Sequence, residues 1–184
     1  MARLAHRQIE VFRAVIRSGS VTGASRILVF DEAQMMARLR HAHVANVFFY
    51  GDSPSGAFYA MEFCDGPSLQ DYVAHHGTLS YQDTFQMAVQ AAAALQALVA
   101  HDLVHRDLKP SNMLLTSDSA GSAHLKLIDF GVAREGLPQD TGGLTQGGFI
   151  GTPAYASPEQ LLEASHLDVR SDMYSLGAVM WFCL

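Results

Sequence analysis

Lysine is nearly missing from this chain. Of its 184 residues only Lys109 and Lys126 are lysines, and positions 1–100 contain none, so an ammonium group is available only in the second half. An excess of positive charge is missing too. The net charge is −6, which excludes the broad basic surface that grips nucleic acid or anionic lipid regardless of sequence. The two cysteines, Cys64 and Cys183, lie too far apart in sequence to form a metal-type or redox-type pair. That fits a reducing compartment, and a cytoplasmic protein is expected. No run reaches the ~20 apolar residues of a membrane span. The stretch Met87–Ala100 is interrupted by Gln90 and Gln96, and Leu176–Leu184 is too short. Met1–Arg7 leads into charged, helix-like sequence rather than the apolar block of a secretory signal. There are no internal repeats and no linker-like segment. What is present in quantity is apolar residue, 49% of the chain, enough to bury the core of one ordinary domain.

Periodicity divides the chain. Residues 6–17 read as an amphipathic helix with Ile9, Phe12 and Ile16 on one stripe. Ser18-Gly19-Ser20 ends it, and Ser20 is placed to cap a second helix. Residues 28–40 form a further helix, with Leu28, Met35 and Leu39 on one face. Residues 44–50 and 57–63 are rich in Val, Phe and Tyr, and a polar turn separates them, so an antiparallel strand pair is expected. Ser68–His76 reads as a short helix and Tyr81–His101 as a long one, carrying Met87, Ala91, Leu95 and Leu98 at helical spacing. Met113–Thr116 and Leu125–Ile128 are short strands around a polar turn containing Gly121. A segment rich in Gly and Thr spans 131–153, and Val169–Leu184 is the last helix.

Four motifs follow residue 102 in fixed order. They are His105-Arg106-Asp107-Leu108-Lys109-Pro110-Ser111-Asn112, Asp129-Phe130-Gly131, Gly151-Thr152-Pro153-Ala154-Tyr155-Ala156-Ser157-Pro158-Glu159, and Ser171-Asp172-Met173-Tyr174-Ser175-Leu176-Gly177. In this order the chain resembles the C-terminal lobe of eukaryotic-type (Hanks-type) serine/threonine protein kinases, and its wording around Ser157-Pro158-Glu159-Gln160 is similar to the bacterial members. The resemblance implies an α+β, protein-kinase-like fold. Residues 28–184 would be a partial kinase domain, with a partial N-lobe and hinge (a helix plus a strand pair) over 28–66. An incomplete, mainly helical C-lobe would fill 67–184, up to its central helix.

The resemblance also implies an activity: transfer of the ATP γ-phosphoryl group, with Mg²⁺, to a Ser or Thr acceptor on a protein substrate. Phosphoryl transfer needs a nucleophile held in line and negative charge neutralised on the moving group. Asp107 would accept the proton of the attacking hydroxyl, and Lys109 would place a cation beside the γ-phosphate. Asn112 and Asp129 would be oxygen ligands to the metal, a donor type that suits Mg²⁺. Thr152 resembles the threonine that bridges to Asp107 and Lys109. Met61-Glu62-Phe63-Cys64 looks like the hinge, where backbone groups of Glu62 and Cys64 would meet the adenine. Glu32 would pair with a lysine on the third strand of the N-lobe. Arg106 would pair with a phosphorylated Thr141 or Thr145 and order the loop that carries them. Glu159 and Asp172 complete the set of structural or regulatory positions.

The departures from the family pattern matter as much. The strand lysine that grips the α- and β-phosphates is absent, and so is the Gly-rich loop. Gly19 and Gly23 stand too close to Glu32 to supply that loop, and Arg26 has the wrong fork geometry and position for a simple swap. Residues 7–26 instead look like the first two helices of a LysR-type helix-turn-helix, so 1–27 is expected to be a helical, LysR-like remnant whose recognition helix is missing. The chain reads as truncated at its C-terminus, where Met180, Trp181, Phe182 and Leu184 would lose part of their cover. Impaired catalysis is therefore expected. The alternatives are an inactive, pseudokinase-like fragment that only binds protein, and a LysR-like DNA-binding fragment; no nucleic-acid partner is expected.

Overall fold

The computed structural model describes residues 36–53, 56–117, 123–129, 153–162 and 167–184. The helical readings over 6–17 and after Ser20, most of the helix over 28–40, and most of the Gly/Thr-rich segment lie outside the described residues. The end of that third helix is described. Residues 36–38 are helical, and Met36 and Leu39 are buried.

The aromatic and β-branched runs pair antiparallel as expected, but the first strand starts and ends three residues later than expected, and the second starts one residue earlier and ends two earlier, because Asp52, Ser53 and Gly56 of the expected turn join the ladder. Strand β1 (Val47–Ser53) lies antiparallel to β2 (Gly56–Met61), with a register irregularity between Val47 and Phe49. Helix α1 (Leu69–His76) begins where Ser68 accepts the Asp71 amide, a side-chain cap that satisfies one of the orphan donors of the first turn. It ends at Gly77, whose φ of 83° suits a residue without a Cβ. Helix α2 (Tyr81–Val99) starts in the same way, with Ser80 accepting the Asp83 amide. It buries Ala91, Ala94, Leu95 and Leu98, while Met87 packs against them half-buried. The helix is two residues shorter than its periodicity suggests, because Asp102 turns into the left-handed region at φ 57° and closes it.

The second sheet pairs β3 (Met113–Ser117) with β4 (Ala123–Leu127), antiparallel, from Met113 opposite Leu127 to Ser117 opposite Ala123. This strand starts two residues earlier than expected and stops before Ile128. The reason is that the Ile128 amide leaves the ladder and donates to the Asn112 carbonyl at 3.0 Å. A short helix α3 (Pro158–Leu161) has no counterpart in the periodic reading. The last helix, α4 (Val169–Cys183), is capped by Asp168.

The core is shared by all these parts. Leu69 of α1, the inner stripe of α2, Leu108, Met113, Leu125 and Leu127 join Leu176, Val179 and Cys183 of α4 in one apolar cluster. Met36, Leu39, Val44 and Val47 extend it toward the first sheet. Val44 forms a parallel bridge with Leu127, so the first sheet's entry is tied directly to β4. At the end of α4, Trp181 is 83% exposed and Leu184 is exposed, while Met180 and Phe182 are half-buried.

Candidate active site

The 105–112 segment leaves α2 and enters β3, so both ends are anchored in the core. Its backbone is unusual at Arg106, which holds φ 64°. A non-glycine residue in that region costs about 1 kcal/mol or more and persists only when its surroundings hold it there. Three bonds do so. Asp172, in the first turn of α4 and 2% exposed, accepts the His105 amide on Oδ2 at 2.8 Å and the Arg106 amide on Oδ1 at 2.9 Å. From α3, the Gln160 side chain donates to the Arg106 carbonyl at 2.7 Å.

His105 is fully buried, and burial pushes its pKa down against the upward pull of Asp172, Asp107 and Asp129. Its Nδ1 accepts the Asp107 amide at 3.3 Å. The turn therefore delivers the Asp107 carboxylate to one place. There Oδ2 receives Lys109 Nζ at 2.9 Å and Asn112 Nδ2 at 3.0 Å. Asn112 Nδ2 also donates to the Asp107 carbonyl at 2.8 Å. With the amide nitrogen engaged on Asp107, the amide oxygen is the Asn112 atom left for another role. The Ile128 amide bonds the Asn112 carbonyl, which places Asp129 next along the chain, at the end of β4 and with φ 56°. Asp107, Lys109 and Asn112 thus meet within the 105–112 turn, and the Ile128 bond lays the chain just before Asp129 against Asn112.

Among the described residues no group of three His, Cys, Asp or Glu side chains could hold a metal ion. Asp129 and Asn112 instead offer one carboxylate and one amide oxygen. That is a sparse set of hard oxygen donors, and it fits a Mg²⁺ that keeps waters and phosphate oxygens in its shell.

Beyond β2 the chain passes through Glu62 to Cys64. The Glu62 amide donates to the Asn46 carbonyl at 2.7 Å, so of the backbone groups expected to meet an adenine, the Glu62 N–H is already engaged. The Glu62 carbonyl and the backbone of Cys64 remain for that role. The Cys64 thiol lies 3.8 Å from the Glu62 carbonyl, and burial pushes it up to about 11, so it stays protonated at neutral pH. Glu62 itself is held below the ordinary carboxylate range despite partial burial, through Lys126 and Asn46.

Glu159 accepts the Ser171 hydroxyl at 2.6 Å, which ties α3 to the start of α4. Glu32, Thr141, Thr145 and Thr152 lie outside the described residues, as does Arg26. Sequence reasoning missed Gln160, Asn46 and Lys126. For Gln160 a signal existed. Ser157 and Gln160 form a reciprocal capping box with Pro158 in the first turn, a readable helix start. Nothing local marks Asn46 or Lys126.

The protein kinase domain family matches residues 6–184, and its match therefore runs through the helix-turn-helix-like stretch over 7–26, which itself lies outside the described residues. The chain is 33% identical over 181 residues to the serine/threonine-protein kinase PknB of Mycobacterium leprae. It is 36% identical over 183 residues to the PknB of Mycolicibacterium smegmatis. Each alignment covers 96% of this chain and 28% of the relative, so the chain spans little more than a quarter of their length. Among solved structures, the Mycobacterium tuberculosis PknI kinase domain superposes with a TM-score of 0.68 at 25% identity, covering 88% of this chain and 57% of that one. Rad53 1-466 in complex with AMP-PNP superposes with a TM-score of 0.68 at 27% identity, covering 85% and 37% respectively.

Proposed function

Since the chain belongs to the protein kinase family, with serine/threonine kinases as its relatives and an α+β kinase fold, we propose that it handles MgATP and a protein Ser or Thr hydroxyl, with impaired turnover. The observation that carries this reading is the buried Asp107 carboxylate. It is held by Lys109 and Asn112 in a turn that Asp172 and Gln160 lock into a strained shape.

In this reading Asp107 orients the acceptor hydroxyl and takes its proton, and Lys109 sits between that carboxylate and the γ-phosphate. Asp129 and the Asn112 oxygen would hold Mg²⁺, which neutralises charge on the phosphates. The Glu62 carbonyl and the Cys64 backbone meet the adenine. Thr152 braces Asp107 and Lys109, Arg106 reads a phosphate on Thr141 or Thr145, and Glu32 belongs to the N-lobe helix. We assign 28–66 to a partial N-lobe and hinge and 67–184 to a C-lobe. Among the described residues no helix is long and apolar enough to cross a membrane. The cytoplasmic location that we propose rests on the cysteine usage, which fits a reducing compartment.

Impairment follows from the lysine count. Lys109 is engaged by Asp107 and Lys126 by Glu62, so neither takes over the α/β-phosphate grip that positions 1–100 cannot supply. Catalysis in this class is mostly positioning and electrostatic stabilisation, so losing that grip removes a principal contribution. The same deficit favours a second reading, an inactive protein-binding relative. A DNA-binding role for the LysR-like stretch has the acidic net charge against it, and a salt-dependent DNA-binding assay decides it.

The test is autophosphorylation of the purified chain with labelled MgATP. The expected outcome is weak incorporation on Ser or Thr that disappears in Asp107→Asn and in Asp129→Ala. Incorporation that survives both substitutions, or falls mainly on Tyr, overturns the assignment. No incorporation with retained nucleotide binding selects the second reading.

A further inference from the structure

Glu62 is pinned more thoroughly than a residue whose backbone alone matters. Its Oε1 accepts Lys126 Nζ at 2.7 Å. Its Oε2 accepts the Asn46 amide at 3.1 Å and Asn46 Nδ2 at 2.7 Å. Its own amide returns a bond to the Asn46 carbonyl at 2.7 Å. Three segments meet there: the residue before β1, the residue after β2, and the penultimate residue of β4. Both charged side chains are largely withdrawn from water, Lys126 at 14% and Glu62 at 26% exposure. A carboxylate in that setting is stable only with its partners in place, and a charge-assisted bond is stronger and shorter than a neutral one.

The consequence runs along the chain in both directions. After Glu62 come the backbone groups assigned to the adenine. After Lys126 come Leu127, Ile128 and Asp129, the residue assigned to the metal. We infer that Lys126 is a positioning residue, a clamp that fixes the 62–64 backbone relative to Asp129 and so sets the distance between the purine edge and the phosphates. The inference rests on the nucleotide reading above. It also gives the second lysine of this chain a task at the base end of the nucleotide rather than at its phosphates.

The experiment has two arms on the purified chain. The first needs no nucleotide. Amide hydrogen exchange at Glu62 is measured in the unaltered chain, Lys126→Met and Lys126→Arg, with Leu95 in α2 as the reference for global opening. Lys126→Met should speed Glu62 exchange by about tenfold relative to that reference, and Lys126→Arg should restore part of the protection. If Lys126→Met does not fold, Glu62→Gln keeps the Asn46 contact and should move exchange in the same direction.

The second arm compares binding of adenosine and of MgATP. Lys126→Met should weaken both by a similar factor, leaving their ratio unchanged. Loss of MgATP affinity with adenosine untouched would mean that Lys126 serves the phosphates and overturns the inference, as would unchanged exchange at Glu62. If the unaltered chain binds neither compound, the nucleotide reading fails and the positioning role falls with it, while the exchange arm still decides whether the clamp exists.

Discussion

Replacing Asp172 should damage this fold more than any exposed charge could. The carboxylate is 2% exposed and accepts two backbone amides, from His105 at 2.8 Å and Arg106 at 2.9 Å. Asp172→Ala deletes both acceptors and leaves two donors with no partner from α4. A hydrogen bond to a charged group contributes about 1.5–3 kcal/mol. The expected loss is therefore about 3–5 kcal/mol, a large part of an ordinary domain's net stability of about 5–15 kcal/mol. Arg106 at φ 64° offsets a part of this, because its strained backbone can relax once the amide is released.

Asp172→Asn keeps one acceptor oxygen but sets an NH₂ against the other amide, so about half that loss is expected. Titration separates the variants further. Burial raises the Asp172 pKa, outweighing the pull of His105 and of the two amides. A raised acid contributes stability that is complete below its unfolded value of about 3.9 and is lost as pH rises through the folded value. The advantage of the native residue over Asn should thus shrink from pH 4 toward neutrality. Urea unfolding followed by far-ultraviolet circular dichroism measures all of this, since Trp181 is 83% exposed and a poor probe of the core. An Ala variant within about 1 kcal/mol of the native chain would refute the reasoning.

Three other outcomes are expected. His43, flanked by His41, His124 and Lys126, has its pKa lowered by burial first and by those neighbours next, so its stability contribution is full above about 6.5 and declines as pH falls; the drop in melting temperature from pH 7 to pH 5.5 should shrink in His43→Gln, and an equal drop would sink this account. Gly66→Ala should destabilise by about 1–3 kcal/mol, because a Cβ there meets the backbone carbonyl oxygen of Leu115 well inside contact distance, and an unchanged urea midpoint would contradict it. Leu98→Ala, at a position 1% exposed in α2, should lose about 2–5 kcal/mol in the same assay, whereas Phe85→Ala, 63% exposed on that helix, should stay within about 0.5 kcal/mol.

Much of this architecture could be read along the chain because the relevant physics is local. The α2 stripe at Ala91, Leu95 and Leu98 is one face of a 3.6-residue period, and it is buried. The strand pairs follow from β-branched and aromatic runs broken by polar turns, and Ser68 and Ser80 cap the helices that follow them. The 105–112 turn brings Asp107, Lys109 and Asn112 together within eight consecutive positions, so residue order alone sufficed to group them.

Tertiary structure alone decided what holds that turn and the segment after β2. Lys126 meets Glu62 across 64 positions, and Asp172 meets Arg106 across 66. Gln160 reaches Arg106 across 54. A periodic pattern records which face of an element avoids water, but it carries no information about which distant polar group waits on the other side. Those pairings form only after the apolar faces pack and exclude water, when each buried amide or charge must find its partner among whatever the packing has brought near.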